Sequence, residues 1–305
     1  MTVYNVDGEL VDRKEATVSV DDRGFRYGDG AFETCRAYGG TVFLWGKHRE
    51  RLEQTCETLG MREAVPGDLR ARIDETLAAN DLAEAYVRVS VTRGVQPGKL
   101  TPDEDVDPTV VVYVKPLPAG GTDGEAVWDD PATVESVATR RIPDSALPAD
   151  AKTQNYLNGI LARLELRESE RGADESLMCD LDGYVAEGAT SNLFFVDDGT
   201  LMTPEAGSIL PGITRGTVLE LADWIDVPSE TGRYTVGDVR RAEEAFLTNT
   251  TWEIRPIARL DGAAVGGGPV TDRLRRAYDE TVDRRCYGDT DGSGNEGRDG
   301  DGQNL

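Results

Sequence analysis

The chain has 305 residues, enough for one large domain or two of ordinary size around a substantial core. Its 33 basic and 57 acidic residues leave a net charge of −24, spread along the whole length, which argues against nucleic acids and anionic membranes as partners. Arginine greatly outnumbers lysine, and so dense a carboxylate surface suits a cytoplasmic protein of a salt-accumulating halophile.

In chain order, residues 3–11 and 17–20 read as short strands around an Asp7-Gly8 turn. Tyr27-Gly28-Asp29-Gly30 is a tight turn into the alternating strand 31–38, and Gly39-Gly40 turns into 41–44. Residues 47–59 and 68–79 have helical periodicity. In 86–93, Val87, Val89 and Val91 share one face of a strand, with Tyr86, Arg88, Ser90 and Thr92 on the other. Residues 110–114 form a buried strand. The Pro/Gly-rich run Lys115 to Gly124 breaks the pattern. We expect an N-terminal α+β domain over 1–118, a linker at 119–124, and a larger C-terminal domain over 125–287. In the second domain a strand at 133–138 precedes a helix that opens after Lys152 and ends at Gly172. Strands follow at 175–179, 184–187 and 192–196, then a helix at 214–225, strands at 243–248 and 253–260, and a helix at 270–285. The tail, 288–305, is Gly, Asp and Asn with almost nothing to bury, and reads as disordered.

Cys35, Cys56, Cys179 and Cys286 show neither CxxC nor zinc-ligand spacing, as expected of thiols in a reducing cytosol. The single histidine, His48, argues against a histidine metal cluster or a Ser-His-Asp triad, and no metal is expected. No signal peptide and no membrane-spanning run is apparent.

Only five lysines occur: Lys14, Lys47, Lys99, Lys115 and Lys152. Lys152 follows a Pro-rich loop and stands before Leu157, Ile160, Leu161 and Leu164, whose spacing predicts one buried helix face. An amine held beside a core loses solvation, which disfavours the ammonium and frees a nucleophile. Taken alone, the stretch favours the plainer reading, a lysine snorkelling to water at a helix start. Gly212-Ile213-Thr214 opens a helix whose free N–H groups can take an anion, with Thr214 as cap and hydroxyl donor; the alternative is a bare N-cap. Thr248-Asn249-Thr250-Thr251 offers more donors, or is simply a polar strand edge. Glu187 ends a strand before Gly188 and reads as a site carboxylate or a solvated turn residue. Arg51 reads as an anion ligand or a surface arginine beside Glu50 and Glu53. As one set, a reactive lysine, an anion clamp and a carboxylate for a ring nitrogen are what pyridoxal phosphate requires of a protein.

At these residues the chain also resembles the class IV aminotransferases, the branched-chain and D-amino-acid type, from about residue 3 to 286. The matching motifs are Arg23-Gly24-Phe25-Arg26-Tyr27-Gly28-Asp29-Gly30-Ala31-Phe32-Glu33-Thr34, His48-Arg49-Glu50-Arg51-Leu52, Lys152-Thr153-Gln154-Asn155-Tyr156-Leu157, Glu187-Gly188-Ala189-Thr190-Ser191-Asn192, Leu210-Pro211-Gly212-Ile213-Thr214-Arg215 and Phe246-Leu247-Thr248-Asn249-Thr250-Thr251. The resemblance implies the two-domain α/β (α+β) architecture of fold type IV pyridoxal-phosphate enzymes, with a C-terminal pseudo-barrel. It implies that Lys152 carries the cofactor and moves protons. Glu187 would meet the pyridine nitrogen and Tyr156 the ring hydroxyl; Arg51, Gly212, Ile213, Thr214 and Thr250 would hold the phosphate, and Leu210 would lie against the ring. Tyr27, Phe32, Tyr86, Arg88, Thr251 and Trp252 would face the substrate. It also implies a homodimer in which a partner loop completes each active site.

Within the family, Tyr86-Val87-Arg88 resembles the carboxylate-binding Tyr-x-Arg of branched-chain transaminases. D-amino-acid transaminases carry an Arg and a His where this chain has Gly98 and Leu100, which argues against that activity. Phe32-Glu33-Thr34, a lysine-to-Asn155 spacing one residue short, and Asn249-Thr250-Thr251-Trp252 depart from the branched-chain pattern. Trp252 caps the pocket or packs in the core. The Tyr27–Thr34 motif, Thr231-Gly232-Arg233-Tyr234 and the Thr-Asn-Thr turn are most similar to aminodeoxychorismate lyases. The expected reaction is therefore release of pyruvate and 4-aminobenzoate from 4-amino-4-deoxychorismate, the alternative being transamination of branched-chain or related amino acids with 2-oxoglutarate.

Overall fold

The structure is a computed structural model that describes residues 2–121, 124–125, 127–169 and 171–288. The expected tail lies, beyond Gly288, outside the described residues. Strands β1 (Val3–Val6), β2 (Glu9–Asp12), β3 (Gly30–Tyr38), β4 (Thr41–Val42), β5 (Ala85–Thr92) and β6 (Val110–Pro116) form one sheet in the order β2-β1-β6-β5-β3-β4, every pair antiparallel. Residues 17–20, expected as a strand, are loop. They lead into α1 (Arg23–Tyr27), a short helix that the periodicity did not reveal, capped by Asp22 at its start and closed by Gly28 at φ +70°.

Alternation along β3 and β5 decides what each face meets. Ala31, Cys35, Ala37, Val87, Val89 and Val91 point to α2 (Trp45–Thr58) and α3 (Leu69–Ala79), and with Leu52, Ile73 and Leu77 form the first core. Phe32, Thr34, Arg36 and Tyr38 point the other way, toward the second half of the chain.

That half contains β7 (Ala132–Ser136), α4 (Leu157–Glu168), β8 (Glu175–Cys179), β9 (Val185–Gly188), β10 (Asn192–Asp197), β11 (Thr200–Pro204), α5 (Ile213–Trp224), β12 (Ser229–Gly232), α6 (Val236–Arg241), β13 (Glu244–Asn249), β14 (Glu253–Leu260), β15 (Ala263–Ala264) and α7 (Pro269–Val282). Its strands run β12-β11-β10-β13-β14-β7-β8-β9, with β15 beside β14, in a mixed sheet curved as a half-barrel. Phe194, Val196 and Phe246 face α5 and α7 in one core, while Leu193, Phe195, Ala245 and Leu247 fill another on the opposite face. The chain is thus a mixed α/β protein of two sheets. Elements β11, β12 and α6 were not anticipated from sequence.

The expectation for α4 fails in two respects. Helix α4 ends at Glu168, before Gly172, and its stripe of Leu157, Ile160, Leu161 and Leu164 is 57, 53, 47 and 43% exposed. The turn buried against Met178 and Val137 is centred on Ala162 instead. Periodicity identified the apolar stripe, but the small residues Gly159 and Ala162 let the opposite side approach the sheet. Among the described residues no helix is long and apolar enough to cross a membrane.

Candidate active site

Lys152 lies in an extended segment, not on a helix. Its carbonyl accepts from Phe32 N–H (3.1 Å), Gln154 N–H donates to Gly30 O (2.8 Å), and its own N–H donates to Thr55 Oγ1 of α2 (3.0 Å). The backbone is thereby stitched to the first sheet, while the side chain enters a cleft of about 400 Å³ between the two sheets. There Nζ stands 4.5 Å from the centre of the Phe32 ring and donates to Tyr156 Oη at 3.3 Å. The two rings meet edge to face at 5.2 Å, so the amine has an aromatic wall and one hydroxyl partner.

Glu187, at the end of β9, forms another wall. Oε1 accepts from Arg141 Nε (2.6 Å), and Oε2 from Asn192 Nδ2 (3.2 Å) and Leu210 N–H (3.0 Å). Burial pushes its pKa up, and the Arg141 guanidinium opposes that shift.

The far end is the start of α5. Gly212 is the N-cap and supplies no side-chain cap; Thr214, expected there, sits inside the first turn. A Cβ at Gly212 would fall 2.0 Å from Asn192 Oδ1, so only glycine fits. Arg51 reaches this end from α2. Its Nε and Nη2 donate to the two oxygens of Glu33 at 2.7 and 2.8 Å, and Nη1 donates to Pro211 O at 2.9 Å. His48 Nδ1 lies 2.7 Å from Glu33 Oε2; the ionised carboxylate can only accept, so Nδ1 carries the proton. Against its burial, Arg51 and His48 hold the Glu33 carboxyl down at about 2, while burial lowers His48. Glu33, Cys35 and His48 are close enough to ligate a metal, but both carboxylate oxygens already accept N–H groups and Arg51 adds a positive charge.

The remaining wall is Phe32, Thr34, Tyr86 and Arg88 on one side and the 248–252 turn on the other. Arg88 lies 3.8 Å over the Phe32 ring. Thr34 Oγ1 and Tyr86 Oη are 3.5 Å apart. Asn249 Oδ1 accepts from the N–H groups of Thr251 (2.9 Å) and Trp252 (2.7 Å), which folds the turn. Arg36 donates to Thr251 O (3.1 Å) and Glu253 Oε1 (2.9 Å), tying that turn to β3. Thr248 Oγ1 is buried at this wall without a hydrogen-bond partner.

Lys152, Arg51, Tyr156, Glu187, Leu210, Gly212, Ile213, Thr214, Thr250, Phe32, Tyr86, Arg88, Thr251 and Trp252 all line this one cleft. Tyr27 does not: it ends α1, exposed, with Arg23 stacked on its ring at 5.0 Å. Trp252 lines the cleft and also packs against a core cluster. Sequence reasoning missed Arg141 and gave Glu33 no role of its own. A signal existed for Glu33, because it occupies the same strand face as Ala31, Cys35 and Ala37. His48, Arg51, Leu52, Thr55 and Cys56 likewise mark the buried face of α2.

The family model for class IV amino-transferases matches residues 30–260. A protein of Methanocaldococcus jannaschii, provisionally named a branched-chain-amino-acid aminotransferase, is 37% identical over 287 residues, 91% of this chain and 95% of that relative. The T.th. branched-chain amino acid aminotransferase, solved with pyridoxamine 5'-phosphate, superposes with a TM-score of 0.85 at 31% identity, covering 94% of this chain and 96% of the other. The 4-amino-4-deoxychorismate lyase of Pseudomonas aeruginosa gives 0.77 at 33% identity, covering 93 and 99%. The chain belongs to the class IV aminotransferase family of pyridoxal-phosphate-dependent transferases and lyases.

Proposed function

We propose that the cleft binds pyridoxal phosphate and cleaves an amino acid bearing a second carboxylate, 4-amino-4-deoxychorismate being the substrate that fits best. The chain's residues suit the cofactor. The uncapped α5 start, Arg51, Thr250 and the unpartnered Thr248 hydroxyl offer donors for a phosphate, and Glu187 a carboxylate for a ring nitrogen. When bound, the cofactor supplies an aldehyde for amine exchange and an electron-poor ring that drains charge from the bond being broken. Lys152 would hold that aldehyde, and its amine, once free, would take and return protons at Nζ. Phe32 and Tyr156 fix the amine in place, and Tyr156 Oη is its nearest hydrogen-bond partner.

Arg88 suits the carboxylate that both candidate substrates share, and the polar groups around it carry the lyase reading. Its guanidinium stands in the cleft over Phe32, without a carboxylate within salt-bridge distance among the described residues. A half-buried guanidinium at a cleft wall favours a substrate carboxylate. Around it Thr34, Asn249, Thr250 and Thr251 supply hydroxyl and amide groups that an aliphatic side chain leaves unused. The second reading, transamination of branched-chain amino acids, is favoured by the 37% identical relative. A paired assay in potassium chloride separates them. Aminodeoxychorismate should give 4-aminobenzoate and pyruvate without a keto-acid acceptor. No product there, with turnover of leucine and 2-oxoglutarate, would establish the transaminase instead.

We also infer a homodimer in the cytoplasm of a salt-adapted cell. The exposed apolar face of α4 needs a cover, and a second copy supplies one. Tyr27, outside its own cleft, would reach substrate as part of the loop lent to the partner. We also infer a division into two domains at 119–124, supported by the strands before and after it joining different sheets.

A further inference from the structure

We infer that Arg141 is a positioning residue for Glu187, holding that carboxylate ionised and oriented as the partner of the cofactor's ring nitrogen. The inference rests on the pyridoxal-phosphate reading of the cleft.

Arg141 is not itself among the residues that line the cleft. It lines a smaller adjoining cavity of about 50 Å³, next to Met178 and Asn158, that shares Glu187, Lys152, Tyr156 and Leu210 with the cleft. Its backbone is fixed from two sides. Arg141 N–H donates to Cys179 O at the end of β8 (2.9 Å), Ile142 N–H donates to Asn158 Oδ1 of α4 (3.2 Å), and Asn158 Nδ2 donates to Arg140 O (2.9 Å). From that anchor Nε meets Glu187 Oε1 at 2.6 Å, with only 14 and 10% of the two side chains exposed. A charge-assisted contact of this length in a poorly solvated place fixes both charge and orientation.

The distribution of donors on Glu187 is uneven. Oε2 accepts two N–H groups, from Asn192 of β10 and Leu210, and is full; Oε1 accepts only Arg141. The acceptor position left for a ring N–H is therefore on the oxygen that Arg141 holds. The charged groups acting on the carboxylate are Arg141 from the segment after β7, Lys152 before α4, and Arg215 from α5. Arg215 is engaged elsewhere, by Thr203 Oγ1 (3.2 Å) and Pro204 O (2.9 Å). Lys152 would be committed to the cofactor. Arg141 is then the cation left in contact with Glu187. Without it, burial favours the neutral carboxyl, which takes the proton that the ring nitrogen needs.

The test uses wild-type protein, Arg141→Gln and Arg141→Lys, each loaded with pyridoxal phosphate. Two quantities are read: cofactor affinity, and the pH at which the lysine-bound cofactor's visible spectrum changes. Removing one positive charge makes the nitrogen of Lys152 more basic. In Arg141→Gln the spectral midpoint should therefore move up by about one pH unit, and the dissociation constant should rise on the order of tenfold. Arg141→Lys keeps the charge and should stay close to wild type in midpoint, even where geometry costs it affinity. A merely structural role would lower the melting temperature of both variants and leave the midpoint in place, which would overturn the inference. Wild-type protein that takes up no cofactor would overturn the reading of the cleft with it. Wild-type uptake with an unmoved Arg141→Gln midpoint removes the inference alone.

Discussion

Glu33 sits on the helix-facing side of β3, among Ala31, Cys35 and Ala37, fully buried. A carboxylate there survives because Arg51 donates to both of its oxygens and His48 to one. Its pKa falls from 4.5 to about 2, so its contribution is present above the unfolded value and lost as pH drops toward 2. His48, lowered by burial, acts in the same direction, losing stability as it is forced to take a proton below its ordinary value of 6.5. Glu33→Gln should then lower the unfolding free energy near neutral pH by about 3 kcal/mol, since it leaves Arg51 buried beside a neutral partner. The gap from wild type should narrow as pH falls from 4.5 toward 2, because the unfolded wild-type chain takes up a proton there that the folded carboxylate refuses. Denaturant titrations across pH read both; a gap constant with pH would show that the ion pair is not the source. Much of this network was legible as residue types, since a Glu in an apolar strand face demands a cation. Arg141 was not, because only the packing of the segment after β7 against β8 and α4 brings it to Glu187.

Helix α4 shows the limit of periodicity at the scale of an element. The i, i+3, i+4, i+7 stripe of Leu157, Ile160, Leu161 and Leu164 is real, but a single chain leaves it in water. Sequence identifies which face is apolar; what covers it is a property of the assembly. If a second copy covers it, Ile160→Glu with Leu161→Glu should convert a dimer to a monomer by light scattering and leave the far-ultraviolet circular dichroism unchanged. A wild-type monomer at micromolar concentration would contradict the dimer. Elements with strong patterns, β5 and β14 among them, were readable to within a residue or two, whereas four-residue β12 and six-residue α6 carry too few positions for a period. Lys152 was expected at a helix mouth. It instead occupies an extended bridge to β3 and α2, contacts roughly a hundred residues apart in sequence and invisible to local reading.

At the scale of the whole molecule, a net charge of −24 sets the conditions in which the cleft can work. Self-repulsion weakens a compact chain at low ionic strength, and the screening length shortens from about 10 Å at 0.1 M salt to about 3 Å at 1 M. The melting temperature should accordingly rise across that range of potassium chloride, and a flat or falling profile would count against salt adaptation. The two-sheet architecture was foreseeable because strand alternation recurs in the topology; the curvature that closes the cleft depends on how the mixed sheet packs on α5 and α7. Above all, this cleft should bind pyridoxal phosphate through Lys152. Only five lysines exist to compete. Incubation with the cofactor, borohydride reduction and peptide mapping test it directly. One label per chain on the peptide containing Lys152, absent from Lys152→Ala, is the predicted result. No label, or label on Lys14, Lys47, Lys99 or Lys115 instead, would contradict it.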